Sequence, residues 1–215
     1  MLSIVKSMSL QGLEGFLVDV QVDVSAEMPN WEVVGLPDAS VREAKERVRT
    51  AIKNSGYDFH SRRIVINLAP ADTKKEGSFF DLPIAVGILM DFQNIKCQNL
   101  EDTVFIGELS LNGNINKVNG ILPMCIEAKK LGIRKIILSS ENAKEAAIVE
   151  GLTVIGARNL TEVVEYLNGE RLIQSTKSDL KQAINQKGKY AFDFSEVRGQ
   201  ENVKRALEIA AARRS

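Results

Sequence analysis

Residues 65–89 read VINLAPADTKKEGSFFDLPIAVGIL. The stretch opens inside an apolar run, Arg63 to Leu68, that has the length and β-branched content of a buried strand. The loop that follows, Ala69 to Gly77, is polar and charged. From Phe80 to Met90 nearly every residue is apolar, which predicts a mostly buried helix with Pro83 in its first turn, where the missing N–H costs no hydrogen bond. A charged loop between a buried strand and a buried helix is a common place for an active site. On composition the preferred reading is a plain charged connection, with Ser78 as the N-cap candidate of the helix that follows.

Upstream, residues 2–10 and 16–24 are predicted strands, the second, FLVDVQVDV, alternating apolar and polar side chains. A third strand runs from Trp31 to Gly35. The first helix carries a Ser40–Glu43 capping box, an apolar stripe of Val41, Ala44, Val48, Ala51 and Ile52, and Gly56 as terminator. Downstream, Asn112-Gly113 marks a hairpin between Thr103–Leu111 and Asn114–Val118. Helices at 121–131, 141–149 and 161–167 then alternate with strands at 135–138 and 153–157. The result is an α+β (mixed α/β) fold, a mixed sheet packed by helices. Residues 1–168 form the expected domain, 169–190 a polar linker, and 191–215 the start of a second module whose helix begins near Gln200.

Composition excludes several classes. Of 215 residues 44% are hydrophobic and 26% charged, as expected of a folded globular chain. Lys plus Arg equals Asp plus Glu at 28 each, so only a local patch, not net charge, can recruit nucleic acid. MLSIVKSMSL is not a signal peptide, and no apolar run approaches membrane-spanning length. Cys97 and Cys125 fit neither a disulfide framework nor a metal site, which points to a reducing cytoplasm. The lone histidine, His60, rules out multi-histidine metal motifs, and no metal site is expected. There is no G-x-G-x-x-G; Gly188-Lys189 fails as a phosphate loop because Ala183 and Tyr190 stand at the first glycine and at the Ser/Thr position.

One charged feature merits attention. Arg42, Lys45, Arg49 and Lys53 fall on one flank of the first helix, and Arg62, Arg63, Lys74 and Lys75 extend the stripe if the fold brings them near. Clustered cations of this kind contact a phosphate backbone. The alternative is a solvated face, with Glu43 and Glu46 pairing along the helix.

Three segments, GLPDASVREAKERVRTAIKNSG (35–56), VINLAPADTKKEGSFFDLPIAVGIL (65–89) and FIGELSLNGNINKVNGILP (105–123), resemble the N-terminal domain of magnesium-chelatase-like AAA+ ATPases of the ComM competence type. The closing DFSEVRGQENVKRALEIAAA resembles the lead-in to that family's AAA+ module, which implies a parent whose ATPase core lies beyond this chain. The resemblance implies a fold similar to the Lon proteolytic domain and the second domain of ribosomal proteins. It implies a cytoplasmic, hexameric, ATP- and magnesium-dependent motor acting on DNA in branch migration during natural transformation, with the motor's own AAA+ module, neighbouring ring subunits and DNA as partners and no membrane. No cofactor is expected in this chain itself, and nothing in it suggests metal insertion into a porphyrin.

The Lon-like fold makes peptidase chemistry an alternative. Laid on this chain, the Lon nucleophile loop puts Phe79 at the serine position, and the hairpin that follows Gly107-Glu108 puts Leu122 at the general-base lysine position. Neither side chain can form a serine–lysine dyad. The one way back is a shifted pairing of Ser78 with Lys117. A peptide-binding remnant and an oligomerisation or regulatory collar complete the alternatives.

Overall fold

The computed structural model describes residues 2–97, 100–177 and 199–212. The chain divides into two units, residues 1–178 and 179–215. The first opens with a long antiparallel pair, β1 (Leu2–Gln11) and β2 (Glu14–Ser25), in which Leu2 faces Asp23 and Lys6 faces Asp19. Strand β3 (Asn30–Val34), helices α1 (Ala39–Arg42) and α2 (Ala44–Asn54), and strand β4 (Arg63–Ala69) follow. After the charged loop come a single 3-10 turn, Ser78–Phe80, and helix α3 (Asp81–Asp91). Strand β5 (Thr103–Ile106), a short hairpin of β6 (Glu108–Leu109) and β7 (Ile115–Asn116), and helix α4 (Ile121–Lys130) come next. The unit closes with β8 (Lys135–Ser139), α5 (Ala143–Ala146), β9 (Thr153–Ala157) and α6 (Leu160–Leu167).

Seven strands make one mixed sheet in the order β3-β4-β2-β1-β5-β8-β9, parallel at four of six pairings. Period-two alternation sorts their side chains. Val5, Val20, Val22, Ile64, Ile66, Phe105, Ile137 and Ile155 face one core with residues of α2, α3 and α6. Met8, Val104, Ile106, Ile136, Leu138 and Val154 face a second core with α4 and α5. Helix α3 rides close on β1 and β2 because it carries Gly87: a Cβ there would meet Val22 Cγ2 at 2.7 Å.

The predicted mixed sheet packed by helices is the fold observed, and most predicted elements stand within two residues of their places. The stops at Gly56 and Gly132 are Schellman-type: Tyr57 N–H reaches the Ile52 carbonyl and Ile133 N–H the Ala128 carbonyl. Three expectations need correction. The N-cap of the first helix is Asp38, whose Oδ1 accepts from Val41 N–H at 2.8 Å; no Ser40–Glu43 box forms, and Glu43 instead separates α1 from α2. The long hairpin splits at Gly107: β5 joins the main sheet, and only β6 and β7 pair, across a connection longer than a two-residue Asn-Gly turn. The predicted helix at 141–149 contracts to α5.

The second unit contributes helix α7 (Glu201–Ala212), close to where the sequence placed the lead-in helix. The predicted linker from residue 178 onward, with Gly188 and Lys189, and the module start at 191–198 lie outside the described residues.

Candidate functional site

The loop from Pro70 to Gly77 is tied down at both ends of its charged half. Lys75 forms a parallel bridge with Pro37, its N–H donating to the Leu36 carbonyl at 3.1 Å and its own carbonyl accepting from Asp38 N–H at 3.0 Å. Asp38 then does double duty: one carboxylate oxygen caps α1 and the other accepts from Gly77 N–H at 3.2 Å. The approach is tight, since a Cβ at Gly35 would sit 2.2 Å from the Leu68 carbonyl oxygen, and Gly35 has φ +96°.

Beneath the loop lies a polar cluster that sequence reasoning missed. Arg47 grips Asp81 with two hydrogen bonds, Nε to Oδ2 at 2.7 Å and Nη2 to Oδ1 at 3.0 Å, and its Nη2 also reaches the Ser40 carbonyl. Asp81 is fully buried and accepts a further bond from Leu109 N–H. Burial pushes its carboxyl up to about 6 against the pull of Arg47 and the Leu109 amide, and the nearby Glu108 charge adds to the rise. Glu108 itself is held below its usual range by hydrogen bonds from Ser78 Oγ and Asn116 Nδ2 and by the Arg47 charge. One signal in the sequence marked this cluster: Asp81 stands at the head of a helix that is apolar from Leu82 to Met90, where an acid needs a partner.

The Lon-type positions can now be placed. Phe79 is half-buried, its ring lying over Gly77 and 4.8 Å from that of Phe80. Leu122 is the second residue of α4, its N–H donating to Glu145 and its side chain lining a surface hollow with Ile126, Ile148 and Val149. Ser78 does not cap α3; its hydroxyl donates to Glu108. Lys117 is exposed. Lys75 is fully buried, its Nζ without a hydrogen-bond partner, and desolvation lowers its basicity. Among the described residues the Ser78 hydroxyl therefore hydrogen-bonds Glu108 and neither amine, and a Glu108 carboxylate of depressed basicity is a weak general base.

The eight cations do not form one patch. Arg42, Lys45, Lys53 and Arg62 are exposed, and Arg49 lies 5.9 Å over the Phe59 ring. Arg63 pairs with Glu27 and Glu32 across the sheet, and Lys74 pairs with Glu76 at 2.6 Å. Lys75 faces the interior and is no part of a solvent-facing stripe. His60 is exposed and stands edge-on to Phe92. Among the described residues no three potential metal ligands stand together, and no helix is long and apolar enough to cross a membrane.

Fold and site together define a mixed α/β domain with a Lon-like loop and hairpin. The family model described as subunit ChlI of Mg-chelatase matches residues 20–142, more than half of the chain. The chain is 40% identical over 98% of its length to the competence protein ComM of Haemophilus influenzae, and 38% identical over 98% to the uncharacterized protein YifB of Escherichia coli. It covers 42% and 41% of those two proteins, so it spans about two fifths of the curated relatives it matches. A more distant match, 25% identical over 71% of this chain and 30% of the relative, is Lon protease 2 of Bacillus subtilis. The chain belongs to the magnesium-chelatase-like family of AAA+ ATPase-related proteins to which ComM also belongs.

Proposed function

We propose that this chain is the N-terminal accessory domain of an AAA+ motor that acts on DNA, and that it carries no catalysis of its own. The observation that carries this reading is its 40% identity, over 98% of its length, to a protein named for competence. In this reading the chain leads through α7 into the ATP- and magnesium-binding module of a cytoplasmic ring, hexameric in the assembled parent. The peptidase alternative loses ground because the Ser78 hydroxyl is committed to Glu108 and, among the described residues, no lysine amine hydrogen-bonds it.

The DNA contact in this proposal is the exposed cation set Arg42, Lys45, Lys53 and Arg62, with Arg49 beside it. Arg63 and Lys74 are engaged by acids and Lys75 is buried, so they contribute little. The test is binding of a short labelled duplex across a salt series. Each phosphate neutralised adds about 0.9 to the slope of log affinity against log salt, so K45E/K53E/R62E flattens that slope by about 3. No binding at low salt, or a triple variant indistinguishable from the parent, overturns the contact.

A further inference from the structure

Three steps in the chain read Asn-Gly: Asn112-Gly113, Asn119-Gly120 and Asn168-Gly169. Each is a turn signal, and each glycine adopts a positive φ, +85°, +80° and +75° in turn. The dipeptide also carries a chemical liability. With no side chain on the second residue, its backbone nitrogen can approach the asparagine Cγ and displace the side-chain amide. The three sites share that competence in sequence. What separates them is how the fold holds the amide and the glycine N–H.

Two of the three are tied down. Asn112 Oδ1 accepts from Ser110 Oγ at 2.6 Å and from Asn114 N–H at 3.1 Å, and Gly113 N–H donates to the Ser110 carbonyl at 2.9 Å. Asn168 Oδ1 accepts from Lys96 N–H at 3.0 Å, its Nδ2 donates to the Asn94 carbonyl at 2.9 Å, and Gly169 N–H donates to the Tyr166 carbonyl at 3.1 Å. Asn119 differs. It is exposed, and among the described residues neither its side-chain amide nor Gly120 N–H has a hydrogen-bond partner.

The backbone on either side of Asn119 is fixed. Asn142 clamps Val118, its Oδ1 accepting from Val118 N–H and its Nδ2 donating to the Val118 carbonyl, both at 2.9 Å. Gly120 is the N-cap of α4, and a Cβ there would stand 2.5 Å from Leu10 Cδ1. The fold therefore requires glycine at 120 both by conformation and by contact. That requirement leaves the free Asn119 amide beside an unhindered nitrogen.

We infer that Asn119-Gly120 is a site of spontaneous deamidation in the folded chain, and that their hydrogen bonds protect Asn112 and Asn168. The Gly120 nitrogen attacks Asn119 Cγ. The new N–Cγ bond closes a succinimide, the Cγ–Nδ2 bond breaks, and the Gly120 proton leaves with Nδ2 as ammonia. Water then opens the ring at either carbonyl, its hydroxyl joining the carbon and its proton returning to the nitrogen, and the new acid ionises. Opening at Cγ gives aspartate. Opening at the main-chain carbonyl gives isoaspartate, with one extra carbon in the backbone. Either product sets a negative charge just ahead of α4, which has no acid in its first turn and no side-chain cap. The α4 dipole favours that charge, and Glu145, which accepts from Leu122 N–H at 3.3 Å, opposes it. The isoaspartyl form also lengthens the chain between the clamped Val118 and the packed Gly120, and so displaces the start of α4.

The test incubates the chain at mildly alkaline pH, in buffer and in urea, and follows all three sites by peptide mapping with mass spectrometry. In buffer Asn119 should convert at least about fivefold faster than Asn112 or Asn168, the factor set by the one hydrogen bond that Gly113 or Gly169 N–H must give up. In urea, where those bonds are gone, the three rates should converge. Asn119→Gln should abolish the fast conversion in buffer, along with the isoaspartate that a methyltransferase labels. Asn112 or Asn168 reacting as fast as Asn119 in buffer, an Asn119 that stays intact there, or an unchanged ranking of the three in urea overturns the inference.

Discussion

Replacing Arg47 with alanine should destabilise the domain in a manner that depends on pH. Asp81 has a side chain only 1% exposed, and Arg47 is its cationic partner among the described residues. Removing one member of a buried pair costs about 3–5 kcal/mol, because the surviving charge stays buried and uncompensated. The Arg47 side chain keeps 22% of its surface in water, which favours the lower end, about 3 kcal/mol. That cost applies only while Asp81 is ionised. Its folded carboxyl titrates at about 6 and faces Arg47 and Glu108, whereas an unfolded aspartate titrates near 4. Between those values the unfolded chain has released its proton and the folded chain keeps it. Stability contributed by this group therefore falls as pH rises through the window, by about 3 kcal/mol in all, and levels off above it.

At pH 5 Asp81 is largely protonated, and Arg47→Ala should cost only its hydrogen bonds, about 1 kcal/mol. At pH 8 the same substitution should cost about 3 kcal/mol. Urea unfolding followed through Trp31, the single tryptophan, measures both. Asp81→Asn, which removes the titration, should flatten the fall in stability between pH 4 and 6. Equal losses from Arg47→Ala at the two pH values, or a pH dependence that survives Asp81→Asn, would refute this account of the cluster.

Lys75→Met removes a buried amine that has no hydrogen-bond partner, and should raise stability by about 1–3 kcal/mol in the same urea assay; a loss would reveal a partner for the amine. Gly35→Ala forces a Cβ to 2.2 Å from the Leu68 carbonyl oxygen at a positive φ, and should lower the urea midpoint by the equivalent of about 2 kcal/mol or more; an unchanged midpoint would mean that the 35–38 segment yields easily. Cys125 is fully buried and its thiol is pushed up to about 12 by burial, so a thiol reagent should label half-buried Cys97 in the native chain and Cys125 only on unfolding.

How much of this was legible in the sequence depends on how local each cause is. The alternation of β2, the stripe of α2 and the glycine stops at Gly56 and Gly132 depend on neighbours within a few residues, and they emerged as expected. Helix capping was misassigned because two competent residues stood two apart, and the choice fell to Asp38, which also had to hold Gly77 from the distant loop. The hairpin split because Gly107 packs against Ile115 and Leu82, a contact that pattern alone does not show. Arg47 was hidden for a different reason. It sits among other cations in sequence, yet it projects off their flank toward a residue 34 positions away. Lys75 was misread by the same logic, since its neighbour Lys74 is exposed and paired while the strand-like bridge to Pro37 accompanies a buried Lys75 side chain.

These long-range ties also bear on the proposal that the chain has a Lon-like loop without catalysis of its own. A nucleophile needs an accessible hydroxyl and a base free to take its proton. In this domain the loop backbone is fixed to the 36–38 segment, the hydroxyl at Ser78 is bound to Glu108, and Glu108 is held ionised by Ser78, Asn116 and Arg47. Each of these contacts stabilises the fold and lowers the basicity or freedom that catalysis would require. The groups of this region that remain exposed lie instead along α1 and α2, at Arg42, Lys45 and Lys53.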